Sequence, residues 1–427
     1  MYCSNIVRMV IYETSTELSG IVSSVLKKQI MRLFLFVFIL VLVQFSCTEK
    51  QEPMSEVIER SIKVAEQQAR AMAATLADQG GRLPKTFKQE TEEFVTSNSR
   101  DWCSGFFPGT LWYLYEYTNN DEFKRLAEEY TSRVEREQYN KGTHDLGFMI
   151  FCSYGNGLRL TNNVAYPDII ITASRSLCTR YNPKVELIKS WDSFKDKWQY
   201  PVIIDNMMNL EMLMWAFKQT KDSTFYNIAV THADKTMQHH FRTDYSTWHV
   251  VSYDTITGIP HAKQTHQGAF DESMWARGEA WGLYGYTMMY RETGKKEYLN
   301  QAINIADLMI GHPNMPADGI PYWDFNAPNI PNEERDASTG AIMASALIEL
   351  SGYVDDTAKK AKYLEQAEKQ IRTLSSPEYL AEQGTNGNFI IKHGVGHKPN
   401  NSEVDAPLTY ADYYFVEALL RYKKLLK

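Results

Sequence analysis

Asp205 follows the run Pro-Val-Ile-Ile and precedes Met207, Met208, Leu210, Met212, Leu213, Met214, Trp215 and Phe217. A carboxyl in such company must be neutral, helix-capping, paired or catalytic, because an unpaired charge in an apolar setting is strongly disfavoured. Asp145 has a similar setting in "THDLGFMIF", with His144 before it and an apolar helical stretch after it. Taken singly, each aspartate reads first as a helix N-cap, a role worth about 1 kcal/mol. Taken together they read differently. Both precede helices of the same apolar type, and such helices share one polarity, so both carboxylates are expected at one end of the fold. Two carboxylates in one cleft hold one proton between them near neutral pH, which makes a general acid. A helix N-terminus opposes this by favouring the charged form. The neighbouring carboxylate and the apolar walls must outweigh it.

A second group lies between Thr243 and Ala280: His249, His261, His266, Gln267, Trp275 and Arg277, with Trp281 just beyond. In "SMWARGEAWGLYG", Trp281 follows Arg277 by four residues and shares its helical face. An arginine beside exposed tryptophan suits a carboxylate on a sugar ring, through a charged fork and a stacking platform. An interface arginine capped by core tryptophans explains the same residues equally well. The histidines lack the HxxxH spacing of a helical zinc site, so a metal is not expected. Trp102, in "SRDWCSGFFPGTLW", is either a stacking wall or part of the core. Lys392, His393, His397 and Lys398 offer cations to a sulfate, but a solvated basic turn is the simpler reading.

The elements that must position these groups are helical. An aromatic-rich helix, a turn of Thr, Asn, Gly or Asp, and an amphipathic helix recur in "LWYLYEYTNNDEFKRLAEEYTSRVE", "LMWAFKQTKDSTFYNIAVTHADKTM" and "YGYTMMYRETGKKEYLNQAINIADLM". "SYGNGLRLTNNVAYPDIIITASRSL" is a weaker copy, and the stretches from Ala337 and from Leu408 fit loosely. Repeated helical hairpins stack. The first helix of each pair is apolar nearly all round and belongs inside; the second is amphipathic and belongs outside. The expected fold is all-α, an (α/α)6 toroid of six inner and six outer helices. The Thr243–Ala280 segment breaks the pattern. It alternates like a β-hairpin turning at Thr257-Gly258, and should form an insertion at one rim.

The 427 residues are 44% hydrophobic, with 26 Tyr and 9 Trp, which suits a large core and a carbohydrate cleft alike. A net charge of -7 argues against nucleic-acid binding. Lys27, Lys28 and Arg32 flank the apolar run "LFLFVFILVLV", which has the length of a signal-peptide core. "QFSC" then ends at Cys47, the expected lipidation site, although Gln44 and Phe45 depart from the usual Leu-Ala pattern. Residues 1–47 are therefore expected to be a signal and lipoprotein segment, and 48–427 a single catalytic domain. Met31 is an alternative start, which would make 1–30 an artefact of start-codon choice. The expected location is the periplasm or a lipid-anchored membrane face of a Gram-negative bacterium. Beyond Cys47 the chain keeps Cys103, Cys152 and Cys178, an odd set without CxxC spacing.

The motifs "DWCSGFFPGTLW", "HDLGF", "IIDNMMNL", "THQG", "SMWARGEAWGLYGY", "RDASTGAIMASALIEL" and "YADYYFVEALLR", in this order, resemble the unsaturated glucuronyl hydrolases of glycoside hydrolase family 88. The resemblance runs from about Ser55 to the C-terminus. It implies a toroid that removes the non-reducing Δ4,5-unsaturated uronic acid left on glycosaminoglycan fragments by polysaccharide lyases. It implies Asp205 as general acid/base with Asp145 as helper. It also implies Trp102, His144, His249, Gln267, Trp275, Arg277 and Trp281 around the sugar, with Trp102 and Trp281 stacking. No metal, organic cofactor or protein partner is implied. The related unsaturated rhamnogalacturonyl hydrolases match these motifs less well. A non-catalytic sugar-binding lipoprotein would have lost one of the two aspartates, and a sugar epimerase would lean on paired histidines.

Overall fold

The computed structural model describes residues 51–426. The expected signal segment and Cys47 lie outside the described residues. Met54–Lys427 forms one compact unit.

Six inner elements run Phe106–Thr118 (α2), Gly147–Gly155 with Asn156–Thr161 (α4), Ile204–Asn209 with Leu210–Thr220 (α6), Ala276–Thr293 (α8), Ala337–Ser351 (α10) and Thr409–Leu425 (α12). Each packs on the next, and α12 closes on α2. Outside them lie Met54–Leu76 (α1), Asp121–Ser132 (α3), Tyr166–Cys178 (α5), Ser223–His239 (α7), Lys296–Gly311 (α9) and Thr357–Leu374 (α11). This is the expected toroid. The patterning explains the layers. Helix α10 is buried at nearly every position, whereas α11 buries only Tyr363, Gln366, Ala367, Gln370, Ile371 and Leu374, one stripe at helical spacing.

The turns follow one recipe. Asn119, Lys221 and Gly294 take left-handed backbone angles after α2, α6 and α8, each donating its N–H back to the helix at 2.8 Å. Asn120 and Asp222 then cap the outer helices that follow. The first helix, α1, pairs with the last, α12. Ser61 Oγ meets Ser375 Oγ at 2.9 Å and Gln68 Nε2 donates to Phe389 O at 2.8 Å, so the ends of the chain brace each other.

The rim insertion is a three-stranded sheet. Val250–Tyr253 (β6) pairs antiparallel with Pro260–Gln264 (β7), as the alternation predicts, and Gly258 takes φ 78° in their turn. The third strand, Pro201–Ile203 (β5), is not announced by the sequence pattern; it pairs with β6 and delivers the chain directly into Asp205. Another unannounced hairpin, Leu83–Lys88 (β1) with Glu93–Ser97 (β2), precedes α2, and the two-residue strands Tyr181–Asn182 (β3) and Leu187–Ile188 (β4) follow α5. Cys103, Cys152 and Cys178 are free thiols.

Candidate active site

Both aspartates sit where an inner element starts irregularly. Gly147–Gly155 is a π-helix, and Ile204–Asn209 is a 3-10 turn. Neither aspartate caps its helix through its side chain, which removes the ordinary explanation for both. Irregular turns of this kind re-aim side chains and recur at functional sites. The two starts are locked together. Asn209 Oδ1 accepts from Phe148 N at 3.0 Å, and a Cβ on Gly147 would lie 2.6 Å from Asn209 Cα. Only glycine permits that approach. Glu211, in the same stretch as Asp205, pairs instead with Arg291.

Asp205 is 8% exposed, and burial pushes its pKa up to about 7. The Arg277 charge and the residue's own backbone N–H pull it down, the Asp145 carboxylate pushes it up, and the Trp281 indole N–H pulls it down. Burial therefore outweighs the helix-start effect, as a proton donor requires. Oδ2 has no hydrogen-bond partner; His249 Nε2 faces it at 3.7 Å, also buried and unpartnered. The backbone N–H groups of His266 and Gln267 both donate to His249 Nδ1 at 3.2 Å, which places the ring proton on Nε2. Burial, then His266, His397 and Arg277, hold this histidine neutral. Two buried polar atoms left without partners, one a donor and the other an acceptor when ionised, mark a place for a ligand group.

Asp145 is held by Thr143, whose Oγ1 donates to Oδ2 at 2.8 Å, and its Oδ1 lies 3.2 Å from His144 Nε2. His144 Nδ1 donates to Ser190 O at 2.9 Å, so its Nε2 is left without a hydrogen when neutral. The short contact to Asp145 is attractive only with a proton between them. His144 is 1% exposed with its Nε2 turned on Asp145, so it braces that carboxylate.

The other expected residues divide. Trp102 is partly exposed and packs edge-on against Phe106 and Phe148, which makes it a wall beside the inner helices. Gln267 is partly exposed and donates to Gly396 O at 3.0 Å. The rings of Trp275 and His249 are 4.3 Å apart. Trp281 corrects the expectation of an open platform. It is 0% exposed, packed against Phe148 and Tyr414, and forms floor beneath the site. Arg277 is 1% exposed; its Nη1 pairs with Asp336 at 2.8 Å and bonds Val395 O, and its Nη2 donates to Gly396 O at 2.6 Å. Asp336 Oδ1 also caps α10 through Ser338 N at 3.1 Å. Arg277 thus clamps the 395–396 wall while its charge reaches Asp205. His261 is exposed on β7.

Sequence reasoning missed Trp191, whose ring stands 6.0 Å from that of His249 and 5.2 Å from that of His266. With Phe194 and Trp198 it makes an aromatic wall. The signal was the aromatic-rich polar stretch "SWDSFKDKW" between two helices. Thr143, Ser190 and Asp336 carried no signal of their own.

Arg277→Ala should unfold more easily, because it leaves Asp336 buried without its cation, typically a loss of about 3–5 kcal/mol. A thermal midpoint equal to wild type, with unchanged KM, would show that the clamp does nothing.

A closed double ring of helices with a buried and a half-buried acid at one end is an architecture found among carbohydrate-active (α/α)6 enzymes. Residues 78–424 match Glycosyl Hydrolase Family 88, and the chain belongs to that family. It is 49% identical over 345 residues to an unsaturated glucuronyl hydrolase of Formosa agariphila, spanning 81% of this chain and 85% of that protein. It is 30% identical to an unsaturated chondroitin disaccharide hydrolase of Streptococcus pneumoniae, over 77% of this chain and 83% of the other. The crystal structure of an unsaturated glucuronyl hydrolase specific for heparin superposes with a TM-score of 0.84 at 46% identity, covering 87% of this chain and 98% of that one.

Proposed function

We propose that this hydrolase removes the Δ4,5-unsaturated uronic acid from the non-reducing end of glycosaminoglycan fragments by hydrating its double bond. The observation that carries this reading is the Asp205 carboxyl, buried and raised to about 7, with Oδ2 unpartnered beside a neutral His249. The 4,5 double bond is an enol ether. Protonated Asp205 gives its proton to C4, positive charge develops at C5 and the ring oxygen, and water adds at C5. The ionised Asp205 then orients or deprotonates that water. The hemiketal opens, and the remaining sugar leaves without attack at C1. The reaction thus differs from two-carboxylate glycoside hydrolysis.

In this reading Asp145 keeps the Asp205 proton in place through its charge. The Nε2–H of His249 and the amide of Gln267 meet the polar groups of the uronate, and Trp102 and Trp275 line its ring. Arg277 supplies positive potential for the uronate carboxylate from behind the wall that it clamps. Relatives named for heparin and for chondroitin both support a glycosaminoglycan substrate class. A panel of unsaturated disaccharides from chondroitin, heparin and hyaluronan lyase digests, followed by loss of the alkene absorbance, tests the activity. Turnover of none of them would refute it.

The segment 27–47 supports export with a lipid on Cys47. Cell fractionation should find the wild type in membranes and Cys47→Ala released into the periplasm. Both in the cytoplasm would discard export, and both soluble in the periplasm would discard the lipid.

A further inference from the structure

A second concavity opens beside Asp145. A cavity of about 630 Å3 is lined by Arg100, Arg136, Tyr139, Lys141 and, at one edge, Thr143. Thr143 is the residue whose hydroxyl holds Asp145, and Arg100 lies two residues before Trp102, so the groove adjoins the segments that carry both. Its charge is one-sided. The single acid in its lining, Glu137, is 2% exposed, accepts from Ser99 Oγ at 2.5 Å and Asn140 Nδ2 at 2.8 Å, and pairs with Arg136 at 3.5 Å, so the uncompensated cations are Arg100 and Lys141. The side chains of Arg100 and Lys141 have no ionic or hydrogen-bond partner among the described residues. Tyr139 between them is 69% exposed.

Arg100 and Lys141 thus stand beside a bare aromatic face with no acid paired to them. A larger cavity of about 880 Å3 shares Arg100, but its other cations are engaged. There Lys85 holds Asp101, Lys88 holds Glu93 and Arg82 bonds Thr96. The free charge is in the smaller groove. An exposed tyrosine offers a sugar ring a stacking face, and flanking Arg and Lys read sulfate or carboxylate.

We infer that this groove is a further subsite, for the anionic sugars that lie beyond the unit joined to the unsaturated uronate. Tyr139 stacks on a ring there, and Arg100 and Lys141 hold its sulfate or carboxylate. The inference rests on the activity proposed above, and gives the enzyme a preference for fragments longer than a disaccharide.

The test compares the unsaturated disaccharide and tetrasaccharide from one chondroitin sulfate lyase digest. Wild type should show a lower KM for the tetrasaccharide. The double variant Arg100→Ala/Lys141→Ala should raise the tetrasaccharide KM about tenfold, two exposed ion pairs together being worth roughly 1.4 kcal/mol. Its disaccharide kinetics should stay those of wild type, and Tyr139→Ala should act in the same direction. Added salt should weaken only the longer substrate. Equal KM values for both substrates, unmoved by the variants, would overturn the subsite. Failure of wild type to turn over the disaccharide would strike the proposed activity instead. Calorimetric binding of the tetrasaccharide would then judge the groove: binding lost in the double variant supports it, and binding that is absent or unchanged overturns it.

Discussion

Asp205→Asn abolishes turnover of an unsaturated disaccharide while the toroid stays folded. A carboxamide cannot give a proton to C4, and general acid–base catalysis is worth about 10²–10⁴-fold. The loss should fall on kcat, since the side chain keeps its size and its place. The same substitution has a thermodynamic signature. Because burial raises the Asp205 pKa from 3.8 to about 7, the native protein holds a proton in that interval that the unfolded chain has released. Wild type therefore loses stability from this group as the pH rises between those values, by up to a few kcal/mol, whereas a carboxamide at this position does not titrate and loses nothing. The variant should match wild type below pH 4, gain on it up to about pH 7 and keep a constant lead above that. Urea unfolding of both proteins across that range measures the difference. A variant with near-normal kcat, or a stability difference that does not change with pH, would remove Asp205 from the mechanism.

The second large effect is expected for Asp145→Asn. The Asp145 carboxylate pushes the Asp205 pKa up, so its removal lets that pKa fall. Less of the enzyme is then protonated at neutral pH, and the alkaline limb of the kcat profile moves toward acid. A carboxamide can meet both neighbours, its Nδ2 donating to the bare Nε2 of His144 and its Oδ1 accepting from Thr143 Oγ1, so the loss reports the missing charge. Activity at pH 7 should drop by about tenfold for each unit that the pKa falls, with recovery at lower pH. An alkaline limb that stays put while activity falls would mean that Asp145 touches substrate and does not tune Asp205. Histidine replacement separates the two further. His144→Gln, which keeps a polar partner for Asp145, should be milder than Asp145→Asn in kcat and should leave KM unchanged.

The ring of helical hairpins was legible because its turns are local chemistry, most plainly the left-handed residue and then the cap that follow α2 and α6. The docking of α1 on the C-terminal part of the chain was not, since the bonded residues, Ser61 with Ser375 and Gln68 with Phe389, are more than three hundred positions apart and nothing near either names its partner. The carboxylate pair was legible from two apolar stretches that each open on an aspartate. Its surroundings were less so. A four-residue spacing places Arg277 and Trp281 on one helical face, but does not say whether that face looks into the cleft or into the wall. Packing decides, and it buries both. The irregular turns that carry Asp145 and Asp205 have no compositional mark, and Ser190 and Asp336 act through neighbours brought to them by the fold.

The central claim is that Asp205 protonates an alkene carbon and that the glycosidic bond does not break in that step. A series of aryl glycosides of the unsaturated uronate, differing in the acidity of the phenol, tests this most directly. If protonation at C4 is slow, kcat is nearly the same across the series, turnover is slower in D2O, and the saturated glucuronides are inert. A steep rise of kcat with phenol acidity, or ready cleavage of the saturated compounds, would show instead that Asp205 and Asp145 break the C1–O bond as an ordinary glycosidase pair.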